Sequence, residues 1–156
     1  MGTVAVTGAL AGCALDNETV SGNHIFIENR DTTAHTVTIS VREASGGRET
    51  VLQNRYRVPS QHALQFEGVL QSGTGYQIDV EQTRADVEPQ QDGLDVGIQT
   101  CSEGDSSARM DVSVILDESG PGFVTWPCNR TYTYRERLTY EDPGAYTVDG
   151  GNTTAQ

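Results

Sequence analysis

His35-Thr36-Val37-Thr38-Ile39-Ser40-Val41-Arg42-Glu43 decides the fold. Val37, Ile39 and Val41 alternate strictly with Thr36, Thr38 and Ser40, a period of two that places apolar side chains on one face of a half-buried strand. Turn residues bound the run: Asn29-Arg30-Asp31 before it and Ser45-Gly46-Gly47-Arg48 after it. Upstream, His24-Ile25-Phe26-Ile27-Glu28-Asn29 reads as a first strand. Downstream, Glu49 to Val58 is a third, ended by Pro59-Ser60. Val51 and Leu52 stand side by side there and break the alternation, which predicts a bulge or an edge position.

The same pattern continues to the carboxyl end. Ala63-Leu64-Gln65-Phe66 is a fourth strand, and Val69-Leu70 leads into the turn Ser72-Gly73-Thr74-Gly75. Tyr76, Ile78 and Val80 mark a fifth. Arg84 to Gly93 (RADVEPQQDG) is predicted to be a polar loop, followed by a sixth strand from Leu94 to Cys101 with Val96 and Ile98 inward. Residues 102–108 turn, and Met110, Val112 and Val114 mark a seventh. Asp117 to Gly122 turns again before Phe123-Val124-Thr125-Trp126, and Tyr132, Tyr134, Leu138 and Tyr140 share one parity in a ninth. No helical stripe interrupts this series. About 7–9 short strands separated by turns predict an all-β chain folded as an antiparallel sandwich. The domain spans 23–140, with a leader and tether at 1–22 and a flexible acidic tail at 141–156. Ile27-Glu28-Asn29, Val37-Thr38-Ile39-Ser40-Val41, Val58-Pro59, Phe66 and Gly75-Tyr76-Gln77-Ile78-Asp79-Val80 resemble the immunoglobulin-like modules of exported archaeal and bacterial proteins. The resemblance implies an immunoglobulin-like sandwich. The spaced Cys-Trp-Cys order of antibody domains is absent.

At 156 residues, one domain with a sizeable core is expected. The net charge is −12, and all ten basic residues are arginine, with no lysine. This acid excess with lysine depletion resembles the proteins of haloarchaea, which stay soluble in molar salt under an acidic, hydrated surface. It argues against nucleic-acid binding, which needs a basic face. No apolar run reaches transmembrane length, so membrane attachment would be by lipid.

Leu10-Ala11-Gly12-Cys13 reads as a lipobox, preceded by apolar Val4-Ala5-Val6 and Ala9-Leu10-Ala11 and followed at once by polar Asp16-Asn17-Glu18-Thr19. Gly2 to Cys13 resembles the end of the twin-arginine lipoprotein signals of salt-loving archaea, whose Arg-Arg pair stands a few residues upstream of the matching Gly2. The resemblance implies cleavage before Cys13 and lipidation of its thiol. The remaining cysteines of an exported chain, Cys101 and Cys128, are then expected to form a disulfide. In the chain-entropy account it would contribute roughly 3–4 kcal/mol. The alternative is a two-thiol metal site, for which no Cys-x-x-Cys arrangement is present. Asn17, Asn129 and Asn152 head Asn-x-Thr sequons and are candidate glycosylation sites.

Catalytic and metal chemistries find little support. A blue-copper site needs two histidines, a cysteine and an axial methionine close together. Here His24, His35 and His62 all precede Cys101, and only Met110 lies near it. The histidines read instead as strand-end or turn residues. No Gly-x-Ser-x-Gly occurs, and Ser72 and Ser119 have no histidine nearby in sequence. Asp86, Asp92 and Asp95 are candidate calcium ligands without the spacing of a calcium loop, and a solvated acidic stretch explains them better. The expectation is a non-enzymatic, lipid-anchored binding or structural module with no cofactor, displayed on the outer face of the cytoplasmic membrane. Its partners would be the membrane, through Cys13, and another cell-surface protein. Two further readings are an accessory substrate-capturing subunit of a transport or redox complex, and an adhesion or filament subunit assembling by strand addition.

The charge generates a direct test. Unscreened like charges oppose compaction, and raising salt from about 0.01 M to about 1 M shortens the screening length from roughly 30 Å to roughly 3 Å. The melting temperature is therefore expected to climb steadily from dilute buffer into molar KCl. A flat profile would remove the halophilic reading of the acid excess.

Overall fold

Residues 23–99, 109–127 and 138–148 are the ones described by the computed structural model, and most of them lie in strands. In chain order these are β1 (Ile25–Asn29), β2 (His35–Glu43), β3 (Thr50–Val58), β4 (His62–Phe66) and β5 (Gly75–Arg84). Then come β6 (Val87–Gly97), β7 (Arg109–Asp117), β8 (Gly120–Pro127) and β9 (Thr139–Glu141). They form two sheets, ordered β8-β7-β1-β4-β9 and β3-β2-β5-β6. Ile25, Ile27, Leu64, Val112, Val114 and Leu116 of the first sheet share one core with Val37, Ile39, Val41, Val58, Ile78 and Val80 of the second. This two-layer arrangement is consistent with a β-sandwich. Burying each of those aliphatic side chains contributes about 1.5–3 kcal/mol as an upper estimate.

The strict alternation of β2 reappears as burial. Val37, Ile39 and Val41 are fully buried, while Thr36, Thr38 and Ser40 face partly outward. β1 is buried on both faces, which explains why its IFIEN does not alternate. The β3 irregularity falls at Val51, since Val41 pairs with Leu52 and Arg42 with Thr50, and β3 is also an edge strand. Both halves of that expectation hold.

Three expectations are corrected. The first sheet is mixed, not antiparallel: β1 runs parallel to β7, and β4 parallel to β9. Parallel neighbours need long connections, and the chain supplies them by visiting the other sheet between β1 and β4 and again between β4 and β7. The polar loop from Arg84 to Gly93 is instead the body of β6. β5 and β6 are joined by a tight turn in which Arg84 faces Val87 and Asp86 takes a φ of 61°. An edge strand buries little, so its sequence carries no apolar signal. Pro89 sits beside the register shift at Gln82/Arg84, an irregularity of an edge strand where proline is tolerated. β8 begins at Gly120, inside the expected turn. Gly120 has a φ of 116°, and a Cβ there would stand 3.2 Å from the Gln90 side chain, so glycine suits both demands.

Residues 141–148, assigned to the tail by composition, continue the framework. Glu141 ends β9, and Asp142 caps a 3₁₀ turn at Pro143–Tyr146. Thr147 then bridges to Tyr56, and the Val148 amide donates to the Arg55 carbonyl at 2.9 Å. The segment thus crosses from the edge of the first sheet to the edge of the second.

Candidate functional site

The polar residues of the framework gather at the strand ends. At the end where β1 stops, Asn29 is fully buried. Its Nδ2 donates to the Thr33 carbonyl at 2.7 Å and to the Val58 and Pro59 carbonyls at 3.0 Å each, while its Oδ1 accepts from the Asp31 amide. One side chain therefore ties β1, the turn after it and the end of β3 in the other sheet. Ser60 and Gln61 add donors to the Asp31 and Arg30 carbonyls.

Beside it, the Gln82 amide donates to the Asp117 carbonyl at 2.8 Å and lies 3.1 Å from His35 Nδ1. A carbonyl only accepts, so Asp117 fixes which end of the Gln82 amide faces inward. That end is the donor, so His35 Nδ1 accepts and its proton must sit on Nε2. Nε2 in turn donates to Asp31 Oδ2 at 2.9 Å. Both nitrogens of a fully buried ring are thus committed to the fold.

The carboxyls here are tuned by their donors. The Thr32 amide, and then His35, hold Asp31 below the usual 3.8. The Ser119 hydroxyl, with the amides of Ser119 and Gly120, holds Asp117 below the same value against burial and the charge of Asp31.

Two further clusters belong to the first sheet. Buried Glu28 accepts from the Ser113 hydroxyl at 2.8 Å and from Arg30 at 2.6 and 3.0 Å, and Trp126 Nε1 donates to Ser113 Oγ at 2.7 Å. At the far end of β1, the His24 amide donates to buried Asp111 at 2.6 Å, and the His24 ring stacks on Phe26. His62 Nδ1 donates to the Ser60 carbonyl at 2.7 Å, so His35 and His62 share one end of the sheets and His24 occupies the other. The histidines are not brought together. Asp86, Asp92 and Asp95 are strung along the turn and length of β6, with Asp92 and Asp95 at opposite parities. Among the described residues no three His, Cys, Asp or Glu side chains converge on a metal position. Cys13, Cys101, Cys128, Asn17, Asn129 and Asn152 lie outside the described residues.

A concave surface lies where β9 leaves β4. Parallel pairing ends at Leu64 and Glu141. β4 continues to Phe66, while the chain after Glu141 diverges into the 3₁₀ turn, whose start is fixed by the Gly144 amide donating to Asp142 Oδ1 at 2.7 Å. A groove of about 570 Å³ opens in the fork, lined by Tyr56, Phe66, Tyr140, Glu67, Glu141 and Asp142 among others. Tyr56 and Phe66 meet edge to face at 5.2 Å, and Tyr140 meets Phe26 likewise at 5.8 Å. Burial pushes the Tyr56 phenol above its ordinary value against a smaller opposing bond from Asn54. A smaller depression of about 360 Å³ lies on the outer face of the second sheet. Its Asp79 is paired with Arg42, and its Glu81 accepts from Gln91.

Sequence reasoning missed this groove, because it is made by a fork between strands far apart in the chain. It also missed the burial of Asn29 and Gln82. Glu28, an acid inside an apolar run, was the one legible sign of a buried polar cluster.

The carboxyl shifts predict an acid limit. A group whose folded value is depressed stabilises the fold above its unfolded value and ceases to do so as pH falls through the folded one. Asp31→Asn is therefore expected to be less stable than the parent at neutral pH, with the gap closing as pH drops below 3.8. Urea midpoints across that range measure it, and a gap independent of pH would contradict the assignment.

Compared with protein-family models, curated proteins and solved structures, the chain finds no match in any of the three.

Proposed function

We propose that this chain is an exported, lipid-anchored, non-catalytic binding or structural module of a salt-loving archaeon, built on an immunoglobulin-like sandwich. One observation carries the non-catalytic part. His35, the buried histidine with the most polar company among the described residues, spends both ring nitrogens on Asp31 and Gln82. Glu28, the other buried acid with several donors, is likewise engaged by Ser113 and Arg30. The address rests on Leu10-Ala11-Gly12-Cys13 and its polar sequel, and the organism class on 22 acids against ten arginines. The two sheets and their shared core support the sandwich.

The capturing-subunit reading is favoured over the filament reading by the groove at the β4–β9 fork, a concave surface of small-molecule dimensions.

In an archaeal host, the parent is expected in the membrane fraction, with lipidated Cys13 as its first residue. Cys13→Ser should be released or left unprocessed. A single acyl chain holds only marginally, so stable fractionation implies two chains. Mass spectrometry that finds intact, unmodified Cys13 in membrane-derived protein would overturn the anchor.

A further inference from the structure

The first sheet is buried on two sides, not one. Ile25, Ile27, Leu64, Val112, Val114 and Leu116 belong to the core shared with the second sheet. The strand period puts Phe26, Glu28, Ala63, Asp111 and Ser113 on the opposite face, and Trp126, across the ladder from Asp111, joins them. None of the three apolar members belongs to the shared core, yet Phe26 is 2% exposed, Ala63 0% and Trp126 4%. Glu28, Asp111 and Ser113 are buried as well. Side chains on an open sheet face keep their tips in solvent, whereas a sheet buried on both faces carries a layer on each. Among the described residues neither sheet supplies that outer layer, since the second sheet packs on the core side.

The course of the chain points to what lies there. β8 and β9 are the two edge strands of this sheet. Pro127 ends β8 opposite Arg109, at the end where β1 and β7 begin. Thr139 starts β9 opposite His62, at the end where β1 stops. Residues 128–137 therefore connect opposite edges and opposite ends of the sheet. The width of the sheet and the rise along its strands give a diagonal of about 30 Å. A segment of this length reaches roughly 35–40 Å when extended, enough to cross the outer face directly. A detour along the rim needs about 40 Å before any side chain is cleared, which exhausts it. The sequence suits contact on one side, because Tyr132 and Tyr134 alternate with Thr131, Thr133 and Arg135. A tyrosine offers an apolar ring to Phe26 and Trp126 while keeping a polar tip.

We propose that residues 128–137 dock across the outer face of the first sheet as a third layer, with Tyr132 and Tyr134 on Phe26 and Trp126. That face is then an interface occupied by this chain itself, and a surface partner of the kind proposed above docks elsewhere, on the second sheet or at a sheet edge. The inference stands on burial and connectivity, so it is independent of the anchor at Cys13 and of any ligand.

Trp126 is the one tryptophan of the chain, so its selectively excited fluorescence reports on that face. In the full chain its emission is expected to be blue-shifted and poorly quenched by acrylamide. Tyr132→Ser combined with Tyr134→Ser should move the emission to the red and raise the quenching several-fold, while the methyl resonances of Val37, Ile39 and Val41 keep their dispersion. A second measurement needs no variant: ring-proton NOEs in the parent from Tyr132 and Tyr134 to Phe26 and Trp126 are expected, and they decide the matter should the double variant fail to fold. Absence of those NOEs, NOEs to that face from residues 1–22 in their place, a solvent-exposed Trp126 in the parent, or a folded double variant whose Trp126 stays shielded would each overturn the proposal.

Discussion

A main-chain carbonyl, that of Asp117, sets the arrangement on which the closed end of the two sheets depends. It accepts the Gln82 amide, and through it determines the proton on His35 and the donor offered to Asp31. Asp117 ends β7 in the first sheet, while Gln82 and His35 belong to β5 and β2 in the second. The chain of bonds therefore crosses between layers that are otherwise held by non-directional apolar contact. Asn29 does the same from β1 to the end of β3. Apolar burial makes the sheets adhere, but it is indifferent to sliding. Buried donors that lose a partner cost about 1–3 kcal/mol each, so these bonds penalise any shift of register.

The price of that specificity is borne where solvent is excluded, and it shapes what remains for ligands. Asn29, His35 and Glu28 are buried and engaged, while Gln82 Oε1 and Asp111 Oδ2 are buried without a hydrogen-bond partner among the described residues. A concavity opens at the β9 fork. There the chain must leave one sheet edge to reach the other, and Pro143 with the Asp142 cap makes the departure abrupt. Divergence creates concavity, and the residues bordering it are acids and rings. The groove and the tie between the two sheet edges thus come from one segment.

β2 was legible to the residue, because one buried face and one exposed face impose a period of two. The Val51 bulge was legible for the same reason, as a break in that period. The part of β6 before Leu94 was not, since an edge strand with its polar residues in solvent satisfies its backbone without an apolar signature; from Leu94 on, Leu94 and Val96 pack against the core and marked the strand. The parallel pairing of β1 with β7 was also invisible, because direction is set by how many times the chain crosses between layers. At the site, Asn29 looked like any turn asparagine, and only the three-dimensional neighbourhood of Val58 and Pro59 makes it a staple. His35 was correctly placed as a strand-opening residue. Its partner Gln82, 47 residues away, carries no sequence signal of the pairing.

The cross-layer chain of bonds is tested most directly by ¹⁵N NMR of the His35 ring in the full-length protein. The geometry requires the proton on Nε2, with Nδ1 bare and accepting from Gln82, and Gln82→Leu should release that preference. A proton on Nδ1 of the parent, or a ring state unchanged by Gln82→Leu, would contradict the account of how the two layers are locked together.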